Sequence, residues 1–192
     1  GKYKFNADGN TTRQPWFGCA CCPSNLCRFI PSVPGYLYGV KDNNIYVNLF
    51  AGNTSTIKVN GKDVVLEETT EYPWNGDIKI AVKKSGVKNA NLLVRIPGWV
   101  RNQVVPSDLY KYSDAEKPAY TVTVNGKAVE ADLDANKGYL PVKNIKKGDV
   151  IRIHFDMPIR TVVANGKVAD DNGKVAVERG PLVYCAEAVD NS

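Results

Sequence analysis

Four of the five cysteines, Cys19, Cys21, Cys22 and Cys27, fall within nine residues of this 192-residue chain, and the fifth, Cys185, stands far away. An odd, clustered count is not the disulfide framework of a small secreted scaffold. Cys21 and Cys22 are neighbours, and a bridge between them would be severely strained, because a disulfide wants its Cα atoms further apart. Thiolate chemistry or metal ligation explains the clustering better. Pro23 follows the pair and suits the first position of a helix, which predicts a short helix from Ser24 to about Ile30, stopped or kinked by Pro31 and Pro34. Thiols that open into a helix start meet unpaired N–H groups and the positive end of the helix dipole, and both favour thiolate. Arg28 adds positive charge on the first turns. Zinc prefers thiolate ligands, but a self-contained site usually takes two separated pairs rather than one tight cluster. A local four-cysteine site of Cys19, Cys21, Cys22 and Cys27 is one alternative. Unreactive cysteines packed around a turn as small hydrophobes are another.

Other candidates carry less chemistry. His154, the single histidine, sits on the polar face of an alternating strand with Arg152 and Asp156, and reads as structural. Period-two alternation puts Glu67 and Glu68 on opposite faces, against a paired-carboxylate site. Asp170-Asp171-Asn172-Gly173 lacks the later ligands of a calcium loop and reads as a turn. Trp74 and Trp99, beside Pro and Gly at strand ends, read as packing residues. Trp16, five residues before Cys21, could line the same pocket as the cysteine.

The elements that must position these residues are mostly strands. After Tyr36 come the apolar run Ile45–Phe50, the pairs Thr56–Asn60/Lys62–Glu67 and Tyr120–Val124/Lys127–Glu130, and the alternating runs Asp77–Val82 and Asp149–Met157. Asn91–Ile96, Lys174–Val177 and Leu182–Cys185 complete the set, the last placing Cys185 within a strand. Asn60-Gly61 and Asn125-Gly126 are the strongest short hairpin signals, and Asn165-Gly166 and Asn172-Gly173 mark further turns. Pro97–Ala119 reads as a surface excursion. The fold class is therefore mainly β: an antiparallel, jelly-roll-like β-sandwich with one short N-terminal helix. The 43% hydrophobic content allows a real core, and the +5 net charge is dispersed rather than gathered into a basic face, which argues against nucleic acid. No stretch reaches the roughly 18 apolar residues of a membrane span, so no membrane partner is expected. Residues 1–20 lack the apolar core of a signal peptide.

Cys21-Cys22-Pro23-Ser24-Asn25 followed by Arg28 resembles the Cys-Cys-Pro-x-Asn-x-x-Arg signature of glycoside hydrolase family 127, the β-L-arabinofuranosidase family. Ser24 stands where that family often has proline or threonine. Tyr36-Leu37-Tyr38, Ile45–Phe50, Tyr72–Gly76, Arg95–Trp99 and Val177–Cys185 resemble later blocks, in the family's order. The resemblance implies an (α/α)6 barrel followed by β-sandwich domains. Residues 1–35 would then be the C-terminal remnant of the barrel and residues 36–192 a β-sandwich domain. It further implies a retaining hydrolase of plant-type or glycoprotein arabinosides. Cys21 would be a zinc-bound nucleophile, with Cys21 and Cys22 both metal ligands. A glutamate and a cysteine from the barrel would complete the zinc site, and another barrel glutamate would serve as general acid/base. None of the three has a counterpart in the twenty residues before Cys21, so this chain alone is expected to be inactive and to hold little or no zinc. Retaining glycosidases usually employ two carboxylates about 5–5.5 Å apart, and a cysteine replaces one only if its thiolate is kept available. The alternative is a non-catalytic sandwich module with a carbohydrate-binding or structural role.

Overall fold

A computed structural model of the chain describes residues 21–186. They divide into two compact units, one ending at Gly35 and one beginning at Tyr36. In the first, helix α1 runs Cys21–Phe29 and is followed by a single 3-10 turn, Ile30–Ser32. The helix starts three residues earlier than its sequence suggests. Pro23 lies inside the first turn rather than opening it, which costs nothing because the N–H it lacks would have no partner there. Pro31 ends α1 as expected, and Pro34 opens the four-residue helix α2, Pro34–Leu37.

The second unit is mainly β. A four-stranded sheet has the order β1 (Tyr38–Lys41), β2 (Asn44–Val47), β6 (Asn91–Arg95), β10 (Tyr139–Val142). A six-stranded sheet has the order β3 (Asn53–Val59), β4 (Lys62–Thr70), β5 (Asp77–Ser85), β11 (Val150–Phe155), β8 (Tyr120–Val124), β9 (Lys127–Ala128). All pairings are antiparallel except β2 with β6, which run parallel with Ile45 beside Leu92 and Val47 beside Val94. Alternation decides what each sheet buries. In β11, Ile151, Ile153 and Phe155 point inward while Arg152 and His154 face out. Ile45, Val47, Leu92, Val94 and Leu140 of the smaller sheet join Val64, Leu66, Ile80, Ile151 and Phe155 of the larger in one continuous core. This is the expected sandwich.

The Asn-Gly pairs divide by role. Asn60-Gly61 (φ 49° and 75°) joins β3 to β4, and Asn125-Gly126 (φ 51° and 81°) joins β8 to β9. Both pairs hold the positive φ that a type I′ hairpin needs. Asn165-Gly166 and Asn172-Gly173 instead lie in the connection between β12 (Ile159–Ala164) and β13 (Val175–Arg179).

Those two strands belong to a third sheet, of order β14 (Leu182–Tyr184), β13, β12, β7 (Tyr110–Tyr112). Its edge strand β7 comes from the Pro97–Ala119 segment, so that segment is more than a surface excursion: Tyr112 pairs with Val162 and is buried. Three residues of Tyr-Lys-Tyr alternation are too short to signal a strand by pattern. No helix among the described residues is long and apolar enough to cross a membrane.

Candidate functional site

Both members of the cysteine pair lie in the first turn of α1, exposed, with their Sγ atoms 3.8 Å apart. Ser24 Oγ donates to the Cys21 carbonyl at 3.1 Å, and Arg28 Nη2 donates to Asn25 Oδ1 at 2.6 Å. The two polar residues of the motif that follow Pro23 thus hold the turn and its cation in place. Cys27 is exposed on the same helix but does not join the pair: no group of three potential metal ligands forms among the described residues. A helix advances 100° per residue, so Cys27 lies well around the helix from Cys22. Cys19 and Trp16 lie outside the described residues. The arrangement offers two adjacent, solvent-reachable thiols at a helix start, able to attack an electrophilic carbon or hold two positions of a soft metal ion.

In the second unit, sequence blocks that lie far apart converge. Phe50, Tyr72, Arg95, Trp99, Glu178 and Pro181 line one cleft of about 600 Å³. They come from the Ile45–Phe50, Tyr72–Gly76, Arg95–Trp99 and Val177–Cys185 blocks. Trp99 packs edge-on against Phe155 with ring centroids 5.8 Å apart, and its Nε1–H donates to Tyr72 Oη at 3.4 Å. The packing role expected of Trp99 is thereby met, whereas the Trp74 side chain is exposed and the residue is tied through its backbone: its N–H donates to the Glu71 carbonyl at 2.9 Å and its carbonyl accepts from Arg179 Nη1 at 2.9 Å.

The family model of the β-L-arabinofuranosidase, GH127 middle domain, matches residues 44–157, and that of the glycoside hydrolase family 127 C-terminal domain matches residues 159–192. The chain belongs to glycoside hydrolase family 127. It is 37% identical over 186 residues to a non-reducing end β-L-arabinofuranosidase of Bifidobacterium longum subsp. longum, covering 93% of this chain and 25% of that protein. A solved family 127 β-arabinofuranosidase is 56% identical, with a TM-score of 0.86, over 93% of this chain and 28% of the other. A family 127 β-L-arabinofuranosidase from Geobacillus stearothermophilus T6 is 34% identical, with a TM-score of 0.76, over 95% of this chain and 26% of its own. The chain therefore spans about a quarter of the length of these relatives. The two family models meet at residue 158, between β11 and β12, so the third sheet draws β7 from the middle-domain match and its other strands from the C-terminal match.

Family 127 membership raises the question of zinc, and the cysteine pair can be tested for it. Two thiolates on one tetrahedral zinc, each about 2.3 Å from the metal, stand about 3.8 Å apart. The Cys21–Cys22 separation of 3.8 Å fits that spacing. The pair supplies two donors, and no third joins it among the described residues.

Three features depart from the sequence reading or were missed by it. Cys185 lies just past the end of β14 and is exposed, so it is not sheltered within a strand. The strand ends at Tyr184 because its pairing with β13 runs out there. Glu67 and Glu68 do face opposite ways, but Glu68 is buried in the sandwich, 3% exposed. It accepts hydrogen bonds from Tyr38 Oη at 3.1 Å and Ala51 N–H at 2.9 Å, and burial pushes its carboxyl up to about 7. The inward phase of β4, shared with Val64 and Leu66, was the only available signal for this. His154 is held between two carboxylates, Asp77 Oδ1 at 2.7 Å and Asp156 Oδ1 at 3.1 Å. Its hydrogen bond to Asp77 raises its pKa above the usual histidine value. It remains half-exposed on the outer face of the six-stranded sheet, in keeping with a structural role.

Proposed function

We propose that Cys21 is the nucleophile of a retaining β-L-arabinofuranosidase acting on arabinose-containing carbohydrate of plant or glycoprotein type. The observation that carries this reading is the exposed Cys21–Cys22 pair, 3.8 Å between sulfurs, in a family 127 chain. The Cys21 thiolate attacks the anomeric carbon, a C–S bond forms, and the glycosidic C–O bond breaks. The departing oxygen takes its electron pair and receives a proton from a carboxylic acid. Water then attacks the same carbon, that carboxylate takes a proton from it, and the C–S electrons return to sulfur. Two inversions give net retention. The acid/base carboxyl is expected in the helical barrel of the whole protein, of which residues 1–35 would form the final part. Cys21 and Cys22 would supply two of the zinc ligands, and bound zinc would keep both sulfurs in the thiolate form. Ser24, Asn25 and Arg28 hold the turn that carries the pair.

In the whole protein, Cys21→Ala should lower kcat by at least about 10³-fold with little change in melting temperature. Brief reaction with an activated arabinofuranoside should leave a pentosyl adduct on the Cys21 peptide, read by mass spectrometry. Turnover within a few-fold of wild type in Cys21→Ala overturns the reading. A polypeptide of residues 1–192 should be inactive, and should lose any zinc to a weak chelator. Two thiolates cannot retain most of the roughly 10–16 kcal/mol of a complete zinc site.

A further inference from the structure

The cleft where the sequence blocks converge has features that packing alone does not require. Three of its side chains are each fixed through one polar atom, and Arg101 and Glu178 keep further polar atoms open. Arg101 is anchored by Nε donating to the Ile96 carbonyl at 3.2 Å. Its guanidinium lies against Gly138, where a Cβ would come within 3.0 Å of its Cζ, so the absence of a side chain at residue 138 makes room for it. Glu178 is anchored through Oε2, which accepts from Tyr112 Oη at 3.0 Å, leaving Oε1. Trp99 is anchored through Nε1 and by edge contact with Phe155. Arg95 and Gln103 add a second guanidinium and an amide to the lining, and no hydrogen bond or ion pair engages either side chain among the described residues.

The charges in this cleft are not spent on one another. No ion pair joins Glu178 to Arg95 or Arg101 among the described residues. A purely apolar ligand would desolvate a carboxylate and two guanidinium groups without pairing them, at a cost of kilocalories for each group. A polyanion would suit the arginines but meet Glu178. A chain of vicinal hydroxyls suits all of them: each hydroxyl donates to the carboxylate or amide oxygen and accepts from a guanidinium. The apolar faces of sugar rings suit the indole of Trp99 and the side chains of Leu49 and Pro181. The volume, about 600 Å³, is within the range of small-molecule sites and takes a short oligosaccharide.

We propose that this cleft binds a neutral oligosaccharide. It is formed jointly by the middle-domain loop Pro97–Pro106 and the C-terminal strands β13 and β14. It does not rest on the role given to Cys21. The test uses the 192-residue chain labelled with ¹⁵N, with the Trp99 indole N–H as reporter, assigned by Trp99→Phe. The probes are arabino-oligosaccharides and cello-oligosaccharides of two to four sugars, with oligogalacturonate as the anionic control. A saturable shift of the Trp99 resonance is expected with a neutral probe at millimolar concentration. Binding should weaken about 10-fold in Arg95→Ala and in Gln103→Ala, the loss of one hydrogen bond each. Both positions are exposed and neither side chain holds the fold together, so melting temperatures should be unchanged. Cys21→Ala should bind as well as wild type. No saturable shift with either neutral probe, binding of oligogalacturonate alone, or a shift indifferent to both alanine variants overturns the proposal.

Discussion

Helix α1 and the sandwich are held by different means. None of the nine residues of α1 is buried; Leu26 and Ile30, its vicinity's aliphatic side chains, are 54% and 61% exposed. Its content lies in the order of residue types: two thiols, a proline, and a serine, asparagine and arginine that hold the turn. The sandwich reverses this. Its residue types are interchangeable aliphatics, and its content lies in their phase, which closes a core of fully buried Ile45, Leu66, Ile80, Leu92 and Ile151. A motif can thus be chemically specific while contributing almost nothing to stability, and a core can be stable while saying nothing about chemistry.

The largest expected effect tests that contrast directly. Phe155 is 1% exposed and packs against Phe50, Trp99 and Tyr72 with centroids 5.7, 5.8 and 6.4 Å away. Phe155→Ala should cost about 3–5 kcal/mol in denaturant melts of the 192-residue chain. Leu26→Ala on α1 should stay within about 0.5 kcal/mol of wild type. Equal losses at the two positions would break the comparison.

Next comes the one acidic group that the sandwich buries. The Glu68 carboxyl is raised by burial from 4.5 to about 7, so the folded state holds a proton that the unfolded chain has released between those values. Its stabilising contribution is fully present below pH 4.5 and is lost as pH rises through 7. The change is about 3 kcal/mol, at 1.36 kcal/mol per pH unit. Unfolding free energy measured from pH 4 to 8 should fall, and Glu68→Gln should remove the part of the fall that lies below pH 6.5, leaving the loss that the raised His154 contributes above that value. A wild-type profile that is flat there, or that rises, would contradict the assignment.

What was legible in the sequence follows the same contrast. Period-two alternation located β5 and β11 because their burial is one-sided and local, and the Asn-Gly pairs located β3, β4 and β8 beside them. The positive-φ hairpins were legible because Asn-Gly tolerates that backbone. The family was legible as a resemblance carried by the cysteine motif and the later blocks. Non-local matters were not. The parallel pairing of β2 with β6 depends on a crossover, not on either strand's composition. Strand β7 is too short to show a period, and Tyr112 is buried only because Val162 lies beside it. The shared cleft needed Arg95, Trp99 and Glu178 to be brought together from blocks that each read as weak alone. Glu67 and Glu68 were separated onto opposite faces, but the burial of Glu68 depends on Tyr38 and Ala51 arriving from other segments.

A smaller effect should come from the join between sandwich and third sheet. Arg160 of β12 is 6% exposed, stacks 3.5 Å from the Tyr112 ring centroid, and donates from Nη2 to Asp114 Oδ1 at 2.6 Å and Asn102 Oδ1 at 2.7 Å. One planar fork thus ties β12 to the loop that delivers β7. Lysine keeps the charge but loses the fork and the stacking face. Arg160→Lys should cost about 2 kcal/mol by chemical denaturation. It should also speed amide exchange in β7 relative to the core strands. A loss shared equally by β7 and β11 would show that Arg160 supports the core rather than the join.

The smallest effect sharpens the comparison from the helix side. Cys21, Cys22, Cys27 and Cys185 are all exposed, three on α1 and one beyond β14. Burial, which would have protected Cys185 within a strand, is absent, so reagent access alone should not separate it from the helical thiols. In the native 192-residue chain, a small maleimide should modify all four without denaturant, as read by peptide mass mapping. Modification of the three on α1 should shift the sandwich's unfolding free energy by less than about 0.5 kcal/mol, because no side chain of that helix is buried. In the whole protein the response to chelation should set the pair apart from Cys185. Zinc ligation would protect Cys21 and Cys22, and chelation should expose them while Cys185 reacts at an unchanged rate. Protection of Cys21 and Cys22 already in the metal-stripped 192-residue chain would mean that α1 packs more tightly than its exposure implies, and the contrast with the sandwich would fail.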